Sequence, residues 1–286
     1  HEAREGADVC AEIAKELGLD VKTAEAVVQL LDEEAEGMRF DPRARSMVDQ
    51  FFAGVRINED TIATLLPGYV AGSFEADEEN GVYGLLGKNG TGKSPLLYLI
   101  MGLLRPKSGE IKFNGTDTSL RSTETLSDMF IVPEEYNLPN IRLSEYIRTL
   151  APLYPRFSEE MLRKCLDGFE MERDANLISL SMGQKKKVYM CLALATKARL
   201  LMMDEPTNGL DIPSKSQFRK VLAGSLDEDQ TVIISTHQVK DVELLLDHVT
   251  MIDDNKVLVN DKIENLFGEN ENVDLERLFN EKYQRS

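Results

Sequence analysis

Residues 87–94 form a loop whose residue types and spacing suit phosphate binding. The segment reads Gly-Lys-Asn-Gly-Thr-Gly-Lys-Ser, a complete G-x-x-x-x-G-K-S pattern or P-loop. Glycines let backbone N–H groups curl around phosphate oxygens, and a helix that starts here adds a favourable dipole. In such a loop Lys93 reaches the β- and γ-phosphates, and the hydroxyl of Ser94 can bind Mg²⁺. The predicted phosphate site comprises Gly87, Lys88, Asn89, Gly90, Thr91, Gly92, Lys93, Ser94 and Pro95.

The segments on either side of this loop are the ones that a phosphate site requires. Residues 82–86 form a short apolar run typical of a buried strand, and residues 96–104 continue with a helical apolar pattern. The order strand, glycine loop, helix brings the loop N–H groups and the helix dipole together. Five further strands are predicted at 110–113, 129–132, 200–204, 231–235 and 248–252, with helices over most of 143–196 and over 274–283. This alternation predicts an α/β fold.

Two carboxylates stand at the end of the predicted strand 200–204. Asp204 and Glu205 follow four apolar residues, so both side chains emerge where the strand ends. Asp204 can hold Mg²⁺ through its water shell, and Glu205 can polarise the water that attacks a γ-phosphate. Many strands end in acidic residues. This pair is more specific because it follows the glycine loop and continues as PTNGLD to Asp211.

Two other segments have residue types that suit a phosphate site. Ser181 and Gln184 have capping-box spacing, which predicts a helix start. The segment is then either a plain helix cap, or a second phosphate site in which Ser181, Gly183 and the helix dipole face a nucleotide held by another subunit. The lysines at 185–187 are expected to form a solvated face rather than a ligand site. His237 follows the strand 231–235, where it can touch the γ-phosphate and orient the water.

In this order, GKNGTGKS, LSMGQ, LLMMDEPTNGLD and the histidine after VIIST resemble the nucleotide-binding subunit of ABC transporters. The resemblance runs from about residue 74 to residue 263. It implies a RecA-like P-loop NTPase core with a helical subdomain that carries LSMGQ. It further implies that ATP and Mg²⁺ are held between residues 87–94 of one subunit and Ser181, Gly183 and Gln184 of a second, in a head-to-tail dimer. Asp211 would belong to a loop across that interface.

The same resemblance implies a role in transport. The chain would hydrolyse ATP with Glu205 and His237 as catalytic residues, and couple hydrolysis to substrate movement by separate transmembrane permease subunits. Residues around 134–155 would contact these subunits. The segments SMGQKKK and DLERLFNEKY are most similar to exporter-type ATPases. The expected location is cytoplasmic, at the inner face of the membrane through the partner subunits.

Three positions depart from the family pattern. Pro95 stands where the family usually has threonine, so it offers neither a hydroxyl nor an N–H to the α-phosphate. Glu134 replaces the glutamine that follows a strand ending Val-Pro, and its carboxylate can still ligate Mg²⁺. The adenine-stacking aromatic should precede the loop, where Tyr69 and Phe74 are weak candidates. These departures raise the alternative of a nucleotide-binding module with impaired hydrolysis.

Composition and charge restrict the classes of partner. The chain has 286 residues and a net charge of −17, of which −12 falls in residues 1–80. Such acidity argues against nonspecific binding to DNA or to anionic membranes, so no nucleic-acid partner is expected. No apolar stretch approaches the roughly 20 residues that cross a bilayer. Any function at a membrane is therefore expected to require a partner protein. Three widely spaced cysteines indicate free thiols in a reducing cytosol.

Three regions are predicted: an acidic helical segment of unknown role at 1–66, an ATP-binding domain at 67–265 and a helical tail at 266–286. Residues 13–28 weakly resemble a helix-turn-helix, but the acidic residues around Lys22 and Gln29 favour a plain helical hairpin. The alternative class is a soluble ABC ATPase acting in DNA or translation processes. Such proteins typically carry long coiled coils or two cassettes, whereas only residues 95–180 separate Ser94 from Ser181.

Overall fold

The computed structural model describes residues 80–106, 111–136, 138–253, 256–267 and 274–285. The predicted acidic segment 1–66 and the two aromatic candidates Tyr69 and Phe74 lie outside these ranges, so their predictions stay untested. Within the described ranges, no helix combines the length and the apolar character needed to span a bilayer.

The strands form one large sheet and one small hairpin. Their bounds are β1 Gly81–Leu86, β2 Lys112–Phe113, β3 Thr116–Asp117, β4 Met129–Val132, β5 Leu200–Asp204, β6 Thr231–Thr236, β7 His248–Asp253 and β8 Lys256–Lys262. The large sheet has the order β4-β5-β6-β1-β7-β8. Its neighbours are parallel except for β7 and β8, which are antiparallel. The pairs β5–β6 and β6–β1 therefore place the carboxyl ends of three central strands at one edge.

The helices connect these strands and cover the sheet. Their bounds are α1 Lys93–Ile100, α2 Thr123–Leu126, α3 Leu143–Leu150, α4 Glu159–Gly168, α5 Met182–Thr196, α6 Ile212–Ala223, α7 Ile263–Phe267 and α8 Leu275–Arg285. Helix α1 contacts β5 and β6, while α5 contacts α4 and β4. Every residue of β4 and β5 is buried, as expected for parallel strands with both faces covered.

The α/β prediction is confirmed, and one strand needs correction. The strand predicted at 110–113 is described only at Lys112–Phe113, and it pairs with β3 in a separate two-stranded sheet. Asn114 and Gly115 have φ angles of 49° and 78°, so both central positions of the turn are left-handed. Two consecutive left-handed residues fold a chain tightly back on itself, so this strand pairs with β3 in a hairpin instead of joining the large sheet.

Candidate active site

The candidate site lies at the edge where β1, β5 and β6 end. The phosphate loop follows β1, the acidic pair ends β5, and His237 follows β6. Because β6 pairs in parallel with both of the other strands, these three segments meet although they are far apart in sequence. The structure thus brings together Lys93, Glu205 and His237, as the sequence predicts.

The phosphate loop curls around the side chain of its own lysine. Gly90 and Gly92 have φ angles of 85° and 94°, a conformation that suits glycine. This curl turns two loop carbonyls inward, and Lys93 Nζ donates to the oxygen of Gly87 at 2.8 Å and to that of Lys88 at 3.1 Å. Lys93 is only 5% exposed. Its ammonium group is therefore fixed at the mouth of the loop.

The remaining loop residues lie on both sides of this ammonium group. Asn89 is exposed, Thr91 is buried, and Ser94 and Pro95 are half-buried at the second and third positions of α1. The first N–H groups of a helix have no intrahelical carbonyl to bond, so proline is compatible with this turn. The departure at Pro95 therefore affects what the loop can offer a ligand, and it leaves the helix intact.

Glu205 occupies the centre of the site and is held on several sides. Its Oε2 accepts a hydrogen bond from Thr236 Oγ1 at 3.0 Å, and its Oε1 lies 2.8 Å from Nδ1 and 3.1 Å from the backbone N of His237. Lys93 Nζ lies 3.5 Å from Oε1. The glutamate is 4% exposed, so these contacts operate with little screening by water. The carboxylate is thus fixed beside both the lysine and the imidazole.

Asp204 precedes Glu205 and is buried even more deeply, at 1% exposure. Ser235 donates a short hydrogen bond to its Oδ1, whereas its Oδ2 has no hydrogen-bond partner among the described residues. Burial raises the pKa of Asp204 above its ordinary value, and hydrogen bonds from Ser235 and Ser94 lower it in part. A buried carboxylate oxygen without a partner is costly, and a cation would satisfy it.

Glu134 lies close enough to the acidic pair to influence the charge of Asp204. Its Oε1 accepts a hydrogen bond from Nδ2 of Asn208 at 2.9 Å, and its charge contributes to raising the pKa of Asp204. Glu134 therefore faces the same edge of the sheet as the candidate metal ligands, from the segment that follows β4.

The LSMGQ segment and Asp211 form helix caps on the surface. Ser181 Oγ accepts from the backbone N of Gln184 at 3.3 Å, and Gln184 Oε1 accepts from the backbone N of Ser181 at 3.0 Å. This is the predicted capping box at the start of α5. Gly183 is half-buried, and Asp211 caps α6 through Ser214 at 2.9 Å. Ser181, Gln184 and Asp211 are exposed, so they can face a second subunit.

The prediction of a solvated lysine face at 185–187 is wrong for Lys186. This side chain is 8% exposed, and its Nζ donates to the carbonyl oxygens of Glu205 and Asn208, each at 3.0 Å. The run of three lysines hid this, because only one of them faces inward on α5. Helical spacing gives the missing signal, since Lys186 precedes the fully buried Met190 by one turn.

Sequence reasoning also missed the two hydroxyls that hold the acidic pair. Ser235 and Thr236 end β6 directly before His237, and each donates to one carboxylate, Ser235 to Asp204 and Thr236 to Glu205. Asp204 is paired with Ser235 in the sheet register. The sequence did contain a signal for this arrangement. β6 ends in two hydroxyl residues, and the neighbouring strand β5 ends in two carboxylates.

Comparisons with known proteins agree with this geometry. Residues 73–208 match the family described as ABC transporter. The chain is 24% identical over 181 residues to the ABC transporter ATP-binding protein YtrB of Bacillus subtilis (strain 168), and the match covers 63% of this chain and 62% of YtrB. It is 31% identical over 200 residues to the lantibiotic transport ATP-binding protein SrtF of Streptococcus pyogenes, which covers 70% of this chain and 84% of SrtF.

A solved structure of an ATP-binding subunit of an ABC transporter superposes with a TM-score of 0.61 at 25% identity. The superposition covers 72% of this chain and 89% of that chain. The family match over residues 73–208 includes the phosphate loop, the LSMGQ segment and the acidic pair Asp204 and Glu205. The chain therefore belongs to the ABC transporter family, among its ATP-binding proteins.

Proposed function

We propose that the chain binds ATP with Mg²⁺ and hydrolyses it as the ATP-binding subunit of an ABC transporter. The observation that carries this proposal is the position of Glu205. Its buried carboxylate lies between Lys93 Nζ at 3.5 Å and His237 Nδ1 at 2.8 Å, beside the phosphate loop. A phosphate-binding lysine, an acid and an imidazole in contact are the groups that hydrolysis of a γ-phosphate needs.

The candidate metal ligands fit Mg²⁺. Asp204 Oδ2 is buried and has no partner in the part of the chain that the structure describes, and the Ser94 hydroxyl donates to the same carboxyl group. Glu134 faces this edge as a third oxygen ligand. The described residues contain no cluster of three His, Cys, Asp or Glu side chains able to hold a metal alone. This suits Mg²⁺, which usually binds one or two carboxylates, water and substrate phosphates. When bound, the ion neutralises charge on the β- and γ-phosphates.

The chain's own residues supply positioning and proton transfer. Lys93 exchanges its loop carbonyl contacts for phosphate oxygens, which keeps its charge at the point of reaction. Glu205 orients the attacking water and accepts its proton. His237 holds the Glu205 carboxylate through its ring Nδ1 and its backbone N–H. In this position its imidazole would face the γ-phosphate. Because these groups are fixed by hydrogen bonds, little reorganisation is required during the reaction.

A second copy of the chain completes the site in this proposal. Ser181, Gly183 and Gln184 at the start of α5 would bind the nucleotide of the partner, since a helix start offers N–H groups and a favourable dipole to phosphate. Asp211 would lie across the same head-to-tail interface. YtrB and SrtF are named as transport or transporter ATP-binding proteins, which supports transmembrane permease subunits as the further partners. The chain would then work at the inner face of the membrane.

The test is the substitution Glu205→Gln, which keeps the shape of the side chain and removes its charge. We expect phosphate release from MgATP to fall about 100-fold or more, because general-base catalysis contributes at least that factor. Nucleotide binding should persist, and ATP should then trap a dimer on size-exclusion chromatography. Glu228→Gln is the matched control, because Glu228 is exposed in the turn before β6, at the opposite edge of the sheet.

Turnover of Glu205→Gln at the unmodified rate would refute the role of Glu205. Pro95 supports one second candidate, a nucleotide-binding module with impaired hydrolysis, since it removes an N–H and a hydroxyl from the loop. An unmodified chain that binds nucleotide and releases no phosphate would favour that candidate.

Co-purification with a membrane protein is expected, whereas co-purification with ribosomes or DNA would favour a soluble ABC ATPase instead.

A further inference from the structure

Lys186 is a buried amine that bonds backbone rather than a carboxylate. Its Nζ donates to the carbonyl oxygen of Glu205 and to that of Asn208, both at 3.0 Å. The side chain extends from the second turn of α5 and reaches across to the segment that follows β5. An ammonium group has three donors and no acceptor, which suits it to tying two carbonyls together.

Burial of this ammonium group requires compensation. Desolvation lowers the pKa of Lys186, and the charges of Glu134, Glu205 and Asp204 act in the opposite direction. A buried cation is tolerated when it is hydrogen-bonded and surrounded by opposite charge. Both conditions hold here. The carbonyl oxygens of Glu205 and Asn208 accept its hydrogen bonds, and the carboxylates of Glu134, Glu205 and Asp204 supply the opposite charge.

The segment that Lys186 bonds is a strained turn. Glu205 has a φ angle of 45°, which is left-handed and unfavourable for a residue with a side chain. Its backbone N donates to Ser235 O at 2.9 Å, and its carbonyl accepts from the backbone N of Asn208 at 3.1 Å. Lys186 therefore bonds the carbonyls at both ends of the turn 205–208, and it restrains the residue whose backbone is strained.

Asn208 extends this restraint to the candidate metal side. Its side-chain amide donates to Glu134 at 2.9 Å, while its carbonyl accepts from Lys186. Helix α5 begins at Met182, and its capping residues Ser181 and Gln184 lie on the surface expected to face the nucleotide of a second subunit. One rigid helix thus joins that surface to the turn that carries Glu205.

We propose that Lys186 is a positioning residue, which holds the turn 205–208 in its strained form and thereby fixes the direction of the Glu205 carboxylate. The effect of Lys186 on hydrolysis rests on the proposed function, in which Glu205 orients the attacking water. Because Lys186 is part of α5, its hydrogen bonds also link the Ser181 end of this helix to the turn that carries the Glu205 carboxylate of the same chain.

The test compares Lys186→Met, which keeps the length of the side chain and removes all donors, with Lys186→Arg, which keeps charge and donors. We expect kcat of Lys186→Met to fall about tenfold, with the nucleotide Kd unchanged within about twofold, because only the turn loses its two bonds to a charged donor. Lys186→Arg should recover at least half of the lost kcat. Lys185→Met is the control, since Lys185 is half-buried on the same helix.

Hydrogen–deuterium exchange gives a second measurement that does not need turnover. In Lys186→Met, the amides of Glu205 and of residues 207–210 should exchange about tenfold faster than in the unmodified chain, because local opening becomes less costly. If Lys186→Met is insoluble, Lys186→Gln, which is uncharged and shorter, should show the same changes. Unmodified exchange in either variant overturns the inference, and so does an equal effect of Lys185→Met. An unmodified chain without ATPase activity refutes the proposed function, and the exchange rates still decide the role of Lys186.

Discussion

The hydroxyl of Thr236 offers the sharpest test of how the candidate site is held. It donates to Glu205 Oε2 at 3.0 Å and accepts from the backbone N of Gln238 at 2.9 Å. Thr236 and Glu205 are both buried, so water cannot replace the bond between them. The substitution Thr236→Val keeps the shape of the side chain and removes only the hydroxyl. It therefore leaves a buried carboxylate oxygen of Glu205 and the half-buried N–H of Gln238 short of a partner.

The magnitude follows from these two bonds. A hydrogen bond to a charged group contributes about 1.5–3 kcal/mol, and a neutral one about 0.5–1.5 kcal/mol. We expect the free energy of unfolding to fall by about 2–4 kcal/mol, which corresponds to a Tm lower by roughly 5–15 °C for a domain of this size. Loss of the Thr236 hydroxyl also frees the Glu205 carboxylate to turn away from the position of the attacking water. A shift that costs about 1.4 kcal/mol in the transition state lowers kcat about tenfold.

The assay combines thermal unfolding with phosphate release. Thr231→Val is the control, because it makes the same chemical change on the same strand, where the half-buried hydroxyl contacts Asn80 at a long 3.4 Å. That control should change stability by no more than about 0.5 kcal/mol. Thr236→Ser retains the hydroxyl and should keep most of the activity. The reasoning is refuted if Thr236→Val melts and turns over like Thr231→Val.

Two further predictions concern the phosphate loop and the buried thiols. A Cβ atom at residue 87 would lie 2.4 Å from Thr91 Oγ1, so Gly87→Ala should weaken nucleotide binding about tenfold in a fluorescence titration; unchanged affinity would show that the loop adapts. Burial raises the pKa of the Cys165 and Cys191 thiols, which leaves little thiolate at pH 8. In a Cys10→Ser variant, Ellman's reagent should therefore label neither thiol until the chain is denatured, and rapid labelling of the native protein would contradict their burial.

Much of the sheet could be predicted because parallel strands are continuous apolar runs. β4 and β5 have the predicted bounds, Met129–Val132 and Leu200–Asp204, since charged or turn residues flank both. β6 and β7 each extend one residue further than predicted. The hairpin of β2 was missed, because the left-handed turn at Asn114 and Gly115 is a property of backbone angles that the apolar pattern does not express.

The site was predictable as a set of segments but not as a set of contacts. Motifs placed Lys93, Glu205 and His237 at strand ends, and parallel pairing then brought them together. The lysine run was misjudged because charge is usually solvated, and only the direction of Lys186 on α5 shows otherwise. The hydroxyl of Thr236 gained its role from strand register, which is a tertiary property and cannot be read from local sequence.

The position of β6 in the sheet has a consequence for how the chain acquires its activity during synthesis. β6 separates β1 from β5, although it leaves the ribosome after both. Until Thr231–Thr236 arrives, no strand joins β1 to β5, and Glu205 lacks Thr236 and His237. Pairing between distant segments is slow, because the intervening chain must first be ordered. A nascent chain therefore gains its triphosphate-cleaving centre in one late event, and a product truncated before residue 237 never gains it.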